Sequence, residues 1–440
     1  MNFRDQARKI FIAGVESVLP GKLISDHVKL SGSNLTIANL NLFLDSMSNI
    51  YIIGAGKACA LMAAEVENIL GSRITAGHIV VKYGHSCKLK YIKVTEAGHP
   101  VPDLNGLKAT KAILKIAAKA KSNDLVICLL SGGGSALLTD IPDGVSAEEM
   151  ILANSLLINS GAGIHDINAV RKHLSMVKGG QLARTVNPAT LVSLILSDVI
   201  GDPPDVIASG PTTPDPTTYK QALNVLEKFN ILKSIPEGIL KYLQKGENGI
   251  ISETPKPGDP VFQKTMNILI GTNRLALEAC REKAIELNLN LNPYIIDDKL
   301  QGDVSSVAEF IAEISLKYKQ DNNVTKPACL LFGGEPTVRM TGKGVGGRNQ
   351  HLALLCSVLL QNQVGITILS AGTDGTDGPT DAAGAVVDSD TYIDAVSMKI
   401  HPEKYISEFD SYNFFKKTGG HIITGPTMTN VMDIIVAILE

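Results

Sequence analysis

Lys57 stands in Gly54-Ala-Gly56-Lys57-Ala-Cys59, between a glycine pair and what reads as the first turn of a helix. A cation in that setting suits a phosphate or a carboxylate, met jointly by the ammonium and by backbone N–H groups. The loop is not a dinucleotide fingerprint. It runs G-x-G-x-x-C, and about 20 residues on the chain reads Ala76-Gly-His-Ile-Val-Val-Lys82, with no acid at the strand end. No G-x-x-x-x-G-K-[ST] occurs anywhere, which excludes a P-loop protein. A second loop, Ser131-Gly132-Gly133-Gly134-Ser135, opens successive N–H groups to a ligand oxygen and fits a phosphate cradle. It fails as a serine-hydrolase elbow, because Leu137 stands where the last glycine is required.

Further polar groups gather at similar places. Arg171, Ser175 and Lys178 fall at i, i+4 and i+7 of a helix read from Asn168 to a Gly179-Gly180 stop, a basic face that is either solvated or closes on an anion. Asp198 and Asp202 follow one apolar run, and Asp374, Asp377 and Asp381 follow another. Such carboxylates hold Mg²⁺ beside nucleotide phosphates or simply close Asx-turns. In Gly342-Lys343-Gly-Val-Gly-Gly-Arg348, the arginine at a helix entrance suits a small carboxylate or a transferring phosphoryl group. His99, before Pro100, reads as structural.

The elements that must position these loops repeat one pattern: about five apolar residues, then Gly, Ser, Thr or Asp, then a helix-like segment. It occurs at 50–53, 125–130, 190–196, 267–270, 328–332 and 366–369. Unbroken apolar runs predict strands covered on both faces, hence an α/β architecture with parallel sheets and ligands outside the strand ends. Ser146 and Glu149 predict a capping box, Thr272 or Asn273 a cap, and Phe3, Ala7, Ile10, Phe11 and Val18 a docked amphipathic helix at the N-terminus rather than a secretion signal. A polar, Pro- and Gly-rich stretch predicts a linker at 246–262 between an N-terminal domain, 1–245, and a C-terminal domain, 263–440, with the active site in the inter-domain cleft. With 40 glycines in 440 residues, a net charge of −3 and no apolar run of membrane length, the chain has the composition of a globular protein. Nothing in it suggests nucleic acid or membrane as a partner. Six cysteines without a CxxC pair predict reduced thiols and a cytoplasmic location.

Taken together, these residues resemble the type II glycerate 2-kinase family. The resemblance is carried, in order along nearly the whole chain, by GAGKA around Lys57, EAGHPVPD from Glu96, LLSGGGSALL from Leu129 and NAVRKHLSMVKGGQLA from Asn168. It continues with SDVIGDPPDVIASGPT from Ser197, GTNRLALEA from Gly271, GGEPTV from Gly333, GKGVGGRNQ from Gly342 and SAGTDGTDGPTDAAGA from Ser370. Met428 in GPTMTN departs from the family's small residue. The resemblance implies a Rossmann-like N-terminal α/β/α domain and a smaller C-terminal α/β domain of the MOFRL type. It implies ATP- and Mg²⁺-dependent (or other divalent cation-dependent) phosphorylation of D-glycerate at its 2-hydroxyl, with Lys57 and Arg348 as catalytic groups, in a monomer or homodimer. On that footing Gly54, Gly56, Ser131, Gly132, Gly133, Gly134, Ser135 and Lys178 are expected at the nucleotide. Asp198 with Asp374 or Asp377 is expected at the metal, one of these aspartates being a candidate base. Arg171, Arg348 and Asp374 are expected at the substrate. Two rivals remain: an NAD(P)H-dependent hydroxypyruvate reductase and a non-catalytic metabolite sensor.

Overall fold

The computed structural model describes residues 2–289 and 293–440. It divides into two units, Leu23–Ile270 and Met1–Lys22 together with Gly271–Glu440. All six apolar runs become strands.

In the first unit, β1 (Val28–Ser31), β2 (Asn34–Ile37) and β3 (Leu40–Phe43) form a small antiparallel meander. The main sheet holds β4 (Ile50–Ala55), β5 (Ala76–Lys82), β6 (Ile92–Ala97), β7 (Leu125–Leu130), β8 (Thr190–Leu196) and β9 (Thr265–Gly271), in the order β6-β5-β4-β7-β8-β9. The β6–β5, β5–β4, β4–β7 and β7–β8 pairs are parallel. The chain therefore leaves β4 in one direction and returns to its other side at β7. This is the Rossmann strand order, with its switch point between those two strands. Every residue of β4 and β7 is buried. On one face Tyr51, Ile53, Val126 and Cys128 pack against Ala109, Ile113 and Ala117 of the helix Leu104–Ala117 and Leu182 and Val186 of Gln181–Val186. Four more helices, Ala147–Asn159, Ile164–His173, Tyr219–Lys228 and Glu237–Glu247, share a separate apolar cluster. The expected capping box at Ser146 and Glu149 opens the first of them.

The second unit's sheet runs β10 (Tyr294–Leu300), β11 (Ala328–Gly334), β15 (Asp433–Leu439), β12 (Ile366–Gly372), β13 (Gly384–Asp388) and β14 (His421–Ile422). Only β10–β11 is parallel; β15 is antiparallel to both neighbours. The expectation of a parallel sheet fails here for a clear reason. The helices Arg348–Leu359 and Val304–Gln320 share an apolar cluster with residues of β11, β12 and β15, while Phe3–Ser17 and Asn273–Glu286 contribute further packing against the same sheet. Coverage of both faces makes a run apolar throughout, whatever the strand direction.

Three further sequence expectations meet a different outcome. The N-terminal helix Phe3–Ser17 forms as read, but it belongs to the second unit: Cys280 Sγ lies against the Ile10 carbonyl, and a Cβ on Gly14 would press on Ile434. The 267–270 run, expected in the C-terminal half, is the outer strand of the first sheet. The stretch at 246–262 is packed rather than open. Glu253 takes a hydrogen bond from His173 Nε2 at 2.9 Å, its carbonyl receives Arg184, and Thr254 Oγ1 donates to the buried Asp215 at 3.0 Å. All six cysteines are free thiols, five of them buried. Among the described residues no helix is long and apolar enough to cross a membrane.

Candidate active site

The switch point between β4 and β7 brings two sequence motifs into direct contact. Gly54 and Gly56 are there for that approach: a Cβ on Gly54 would strike the Leu129 carbonyl, and one on Gly56 the Ser131 side chain. Their N–H groups are not what a ligand would meet. Gly54 lies within the strand, paired on both sides, and Gly56 N–H bonds the Val80 carbonyl at 3.2 Å. The two loops are stitched by Lys57 N–H to the Gly132 carbonyl (2.9 Å), Ser131 N–H to the Ala55 carbonyl (3.1 Å) and Ala58 N–H to Ser131 Oγ (3.0 Å). Ser131 is thus buried and spent on the scaffold. Gly134 N–H closes the turn on the Ser131 carbonyl. Among the described residues, no backbone acceptor takes the N–H groups of Gly132, Gly133 or Ser135. The cradle expected over two loops therefore narrows to one turn. Gly133 adopts φ +83°, a conformation that glycine alone takes without strain.

Around that turn stand Lys57, Asp198 and His99. The Lys57 stem and the His99 ring both lie close to the Gly133 α-carbon, and the Asp198 carboxylate lies against that of Gly132. Ser135 Oγ pairs with Ser209 Oγ at 2.9 Å, tying the turn to the loop after β8, where Ala208, Ser209 and Gly210 all take positive φ. His85 Nδ1 donates to the Lys57 carbonyl at 3.1 Å. Burial, then the charge of Lys57, pulls His99 down to about 4, so its ring is neutral at physiological pH.

Arg171 and Lys178 are placed elsewhere. The helix ends at His173 rather than continuing to the glycine pair, because Ser175 Oγ captures the N–H groups of Val177 and Lys178. The predicted basic face does not form. Arg171 Nε donates to Asn154, and the buried Lys178 ammonium is used on the Leu138 carbonyl near Asp140, with burial lowering its pKa. Lys178 is a tether between loops, not an exposed nucleotide ligand.

In the second unit Arg348 opens its helix at the end of the glycine-rich loop. Its Nε and Nη2 grip both carboxylate oxygens of Asp433 at 2.6 and 3.0 Å, and Nη1 meets Glu335 at 2.9 Å. Asp433, at the start of central strand β15, is buried, while the Glu335 side chain is 43% exposed. Burial works against the guanidinium charge, but Asp433 and Glu335 outweigh it and raise its pKa. Asp377, expected as a catalytic or metal carboxylate, is instead a buried helix anchor. It accepts the N–H groups of Asn349 (3.0 Å) and Gln350 (2.8 Å) and the Gln350 amide (3.0 Å). Burial pushes it up to about 6 against the pull of those donors. Asp374 is half-buried, and one of its oxygens closes an Asx-turn onto Thr376.

Sequence reasoning missed Asp433 altogether and assigned Glu335 no role. The signal was an acid opening the apolar run Asp433-Ile-Ile-Val-Ala-Ile-Leu, since a buried carboxylate requires a cationic partner. For a divalent cation, no group of three or more acidic, His or Cys side chains gathers among the described residues. A protein-only cage is absent. Asp198 beside the open turn does fit Mg²⁺, which is usually held by one or two carboxylates plus substrate phosphates.

A parallel sheet with a cationic glycine turn at its switch point defines an α/β protein built to receive a phosphorylated or carboxylated small molecule. Comparison with known proteins narrows this class. Residues 6–244 match a domain of unknown function, DUF4147, and residues 328–433 match the MOFRL family. D-glycerate 2-kinase of Thermotoga maritima is 41% identical over 98% of this chain and 97% of its own. A relative from Agrobacterium vitis, 38% identical over 98% of this chain and 93% of its own, carries a provisional name as a hydroxypyruvate reductase. A crystal structure of glycerate kinase from Thermotoga maritima superposes with a TM-score of 0.89 at 40% identity, covering 100% of this chain and 99% of that one. The chain belongs to the glycerate 2-kinase family with a C-terminal MOFRL region.

Proposed function

We propose that this protein transfers the γ-phosphoryl group of ATP to the 2-hydroxyl of D-glycerate, giving 2-phosphoglycerate and ADP. The observation that carries this reading is the 41% identity to a D-glycerate 2-kinase over 98% of the chain. The site chemistry supports it. In phosphoryl transfer the hydroxyl oxygen forms a bond to phosphorus as the bridging bond to ADP breaks, and catalysis rests on positioning and charge stabilisation. Lys57, beside the open N–H groups of Gly132, Gly133 and Ser135, neutralises charge on the transferring group. Asp198 would hold the divalent cation, which supplies charge neutralisation on the phosphates. Arg348, fixed by Asp433 and Glu335, would offer its remaining N–H groups to an anionic group of substrate.

The reductase name of one relative finds little support in the loop after β4. Cys59 is buried against the Leu129 carbonyl, and β5 ends in Lys82 where a dinucleotide fold places an acid for the ribose. The test is ³¹P NMR of the protein with ATP, Mg²⁺ and D-glycerate, with a control lacking glycerate. Appearance of 2-phosphoglycerate together with ADP is the expected result. A 3-phosphoglycerate resonance would overturn the hydroxyl assigned, and oxidation of NADH by hydroxypyruvate without any phosphoryl transfer would overturn the reaction.

A further inference from the structure

Of the side chains that border the glycine turn, His99 is one that the roles above leave unused. A Cβ placed on Gly133 would lie 2.9 Å from both Cδ2 and Nε2 of the imidazole and 3.5 Å from Lys57 Cε. The ring edge and the lysine stem therefore share the space over a single α-carbon, next to N–H groups that no backbone acceptor takes.

The ring is held there by its surroundings. Asp103 caps the helix Leu104–Ala117 through Gly106 N–H (2.9 Å) and receives the Tyr83 hydroxyl (2.6 Å), and Asn105 bonds that hydroxyl in turn (3.0 Å). On the other side, Glu96 takes Gly84 N–H at 2.7 Å. The residues between, 97–102, are pinned at both ends. Among the described residues the imidazole has no hydrogen bond to any residue but itself. The charged and titratable groups facing it are Lys57, Lys82 and His85, and these with burial keep it neutral. A neutral imidazole carries one N–H donor, and with no other residue holding the ring an anionic oxygen at Nε2 selects the tautomer protonated there. Beside an ammonium group and amide N–H groups that no backbone acceptor takes, the acceptor that gains most from such a donor is an anionic oxygen. A full cation at His99 would repel Lys57 and Lys82, whereas a neutral donor adds a hydrogen bond without that cost.

Building on the kinase reading, we propose that His99 contacts substrate directly, its Nε2 donating to the anionic oxygen that Lys57 neutralises and that the Gly132 and Gly133 amides receive. The oxygen belongs either to a phosphate of the nucleotide or to the carboxylate of glycerate, and steady-state kinetics in each substrate separates the two. His99→Leu keeps bulk without a donor, and His99→Gln places an amide donor near the position of Nε2. A hydrogen bond to a charged group is worth roughly 1.5–3 kcal/mol, so His99→Leu is expected to lose about 10–100-fold in kcat/KM for the substrate it touches. His99→Gln should recover most of that loss, with both variants melting close to the parent protein.

A rise in KM for ATP alone assigns the oxygen to the nucleotide, and a rise for D-glycerate alone assigns it to the carboxylate; either result supports the contact. Equal losses in the two variants, or no loss in either, overturn it, because packing alone does not distinguish a donor from an apolar group of similar size. If His99→Leu does not fold, His99→Ala takes its place in the comparison. Failure of the kinase reading would be visible separately, as absence of phosphorylation by the unaltered protein. Calorimetric binding of ATP and of D-glycerate to the same three proteins then decides the contact without turnover.

Discussion

The two units hold their candidate cations in opposite ways. Lys57 extends over a glycine turn beside a neutral imidazole, with the Asp198 carboxylate against the neighbouring Gly132. Arg348 is already paired with a buried aspartate and a half-exposed glutamate. An ammonium at such a turn meets an incoming anion chiefly by its charge, and its effect is electrostatic. A guanidinium locked on two sides contributes mainly through the direction in which its remaining edge points.

The sharpest break in this comparison is expected at Asp433. Asp433→Ala leaves a largely buried guanidinium without its bidentate partner and should cost about 3–5 kcal/mol of stability, read by urea denaturation. Glu335→Ala removes the exposed partner of the same arginine and should change stability by about 1 kcal/mol or less. Similar losses from both would erase the distinction between fixed and exchangeable partners. At the other cation, Lys57→Ala should lower kcat by about 10²–10³, with the melting temperature unchanged. Near-parental turnover would remove Lys57 from the chemistry.

A smaller effect concerns pH. Burial pulls His351, stacked on Phe409, down to about 4, against the opposing charge of Asp303. The folded state therefore favours the neutral ring. That contribution is whole above the unfolded value near 6.5 and is lost as pH falls toward 4, on the order of 2–3 kcal/mol. Asp377, pushed up to about 6, works in the other direction: its contribution is whole below pH 4 and is lost as pH rises through 6. His351→Leu should flatten the acid limb of stability between pH 6.5 and 4, measured by denaturant titration at each pH. An unchanged slope would show that His351 titrates alike in folded and unfolded chains.

Much of the first unit was legible because its rules are local. A run such as Ile50-Tyr-Ile-Ile53 followed by Gly-Ala-Gly-Lys reads as strand, turn and helix entrance without knowledge of neighbours. What escaped notice depends on pairing across long sequence distances. Asp433 gains its meaning from Arg348, 85 residues earlier. Asp377 looked like a metal ligand until the helix it anchors was seen to begin at Arg348. The polar stretch at 246–262 reads as a linker by composition, yet its backbone is claimed by Arg184 and its side chains by His173 and Asp215. Met428, singled out as a departure from the family, sits at φ +63°, a left-handed conformation that strains any residue with a Cβ.

The second unit is assembled from both ends of the chain. Its central strand β15 is hydrogen-bonded to both β11 and β12. The helix Phe3–Ser17, which buries Ile10 and Phe11 in this unit, precedes that strand in the chain by about 400 residues. During translation that helix is made before its main partner, Asn273–Glu286, and before the intervening parallel sheet, which forms as a unit of its own.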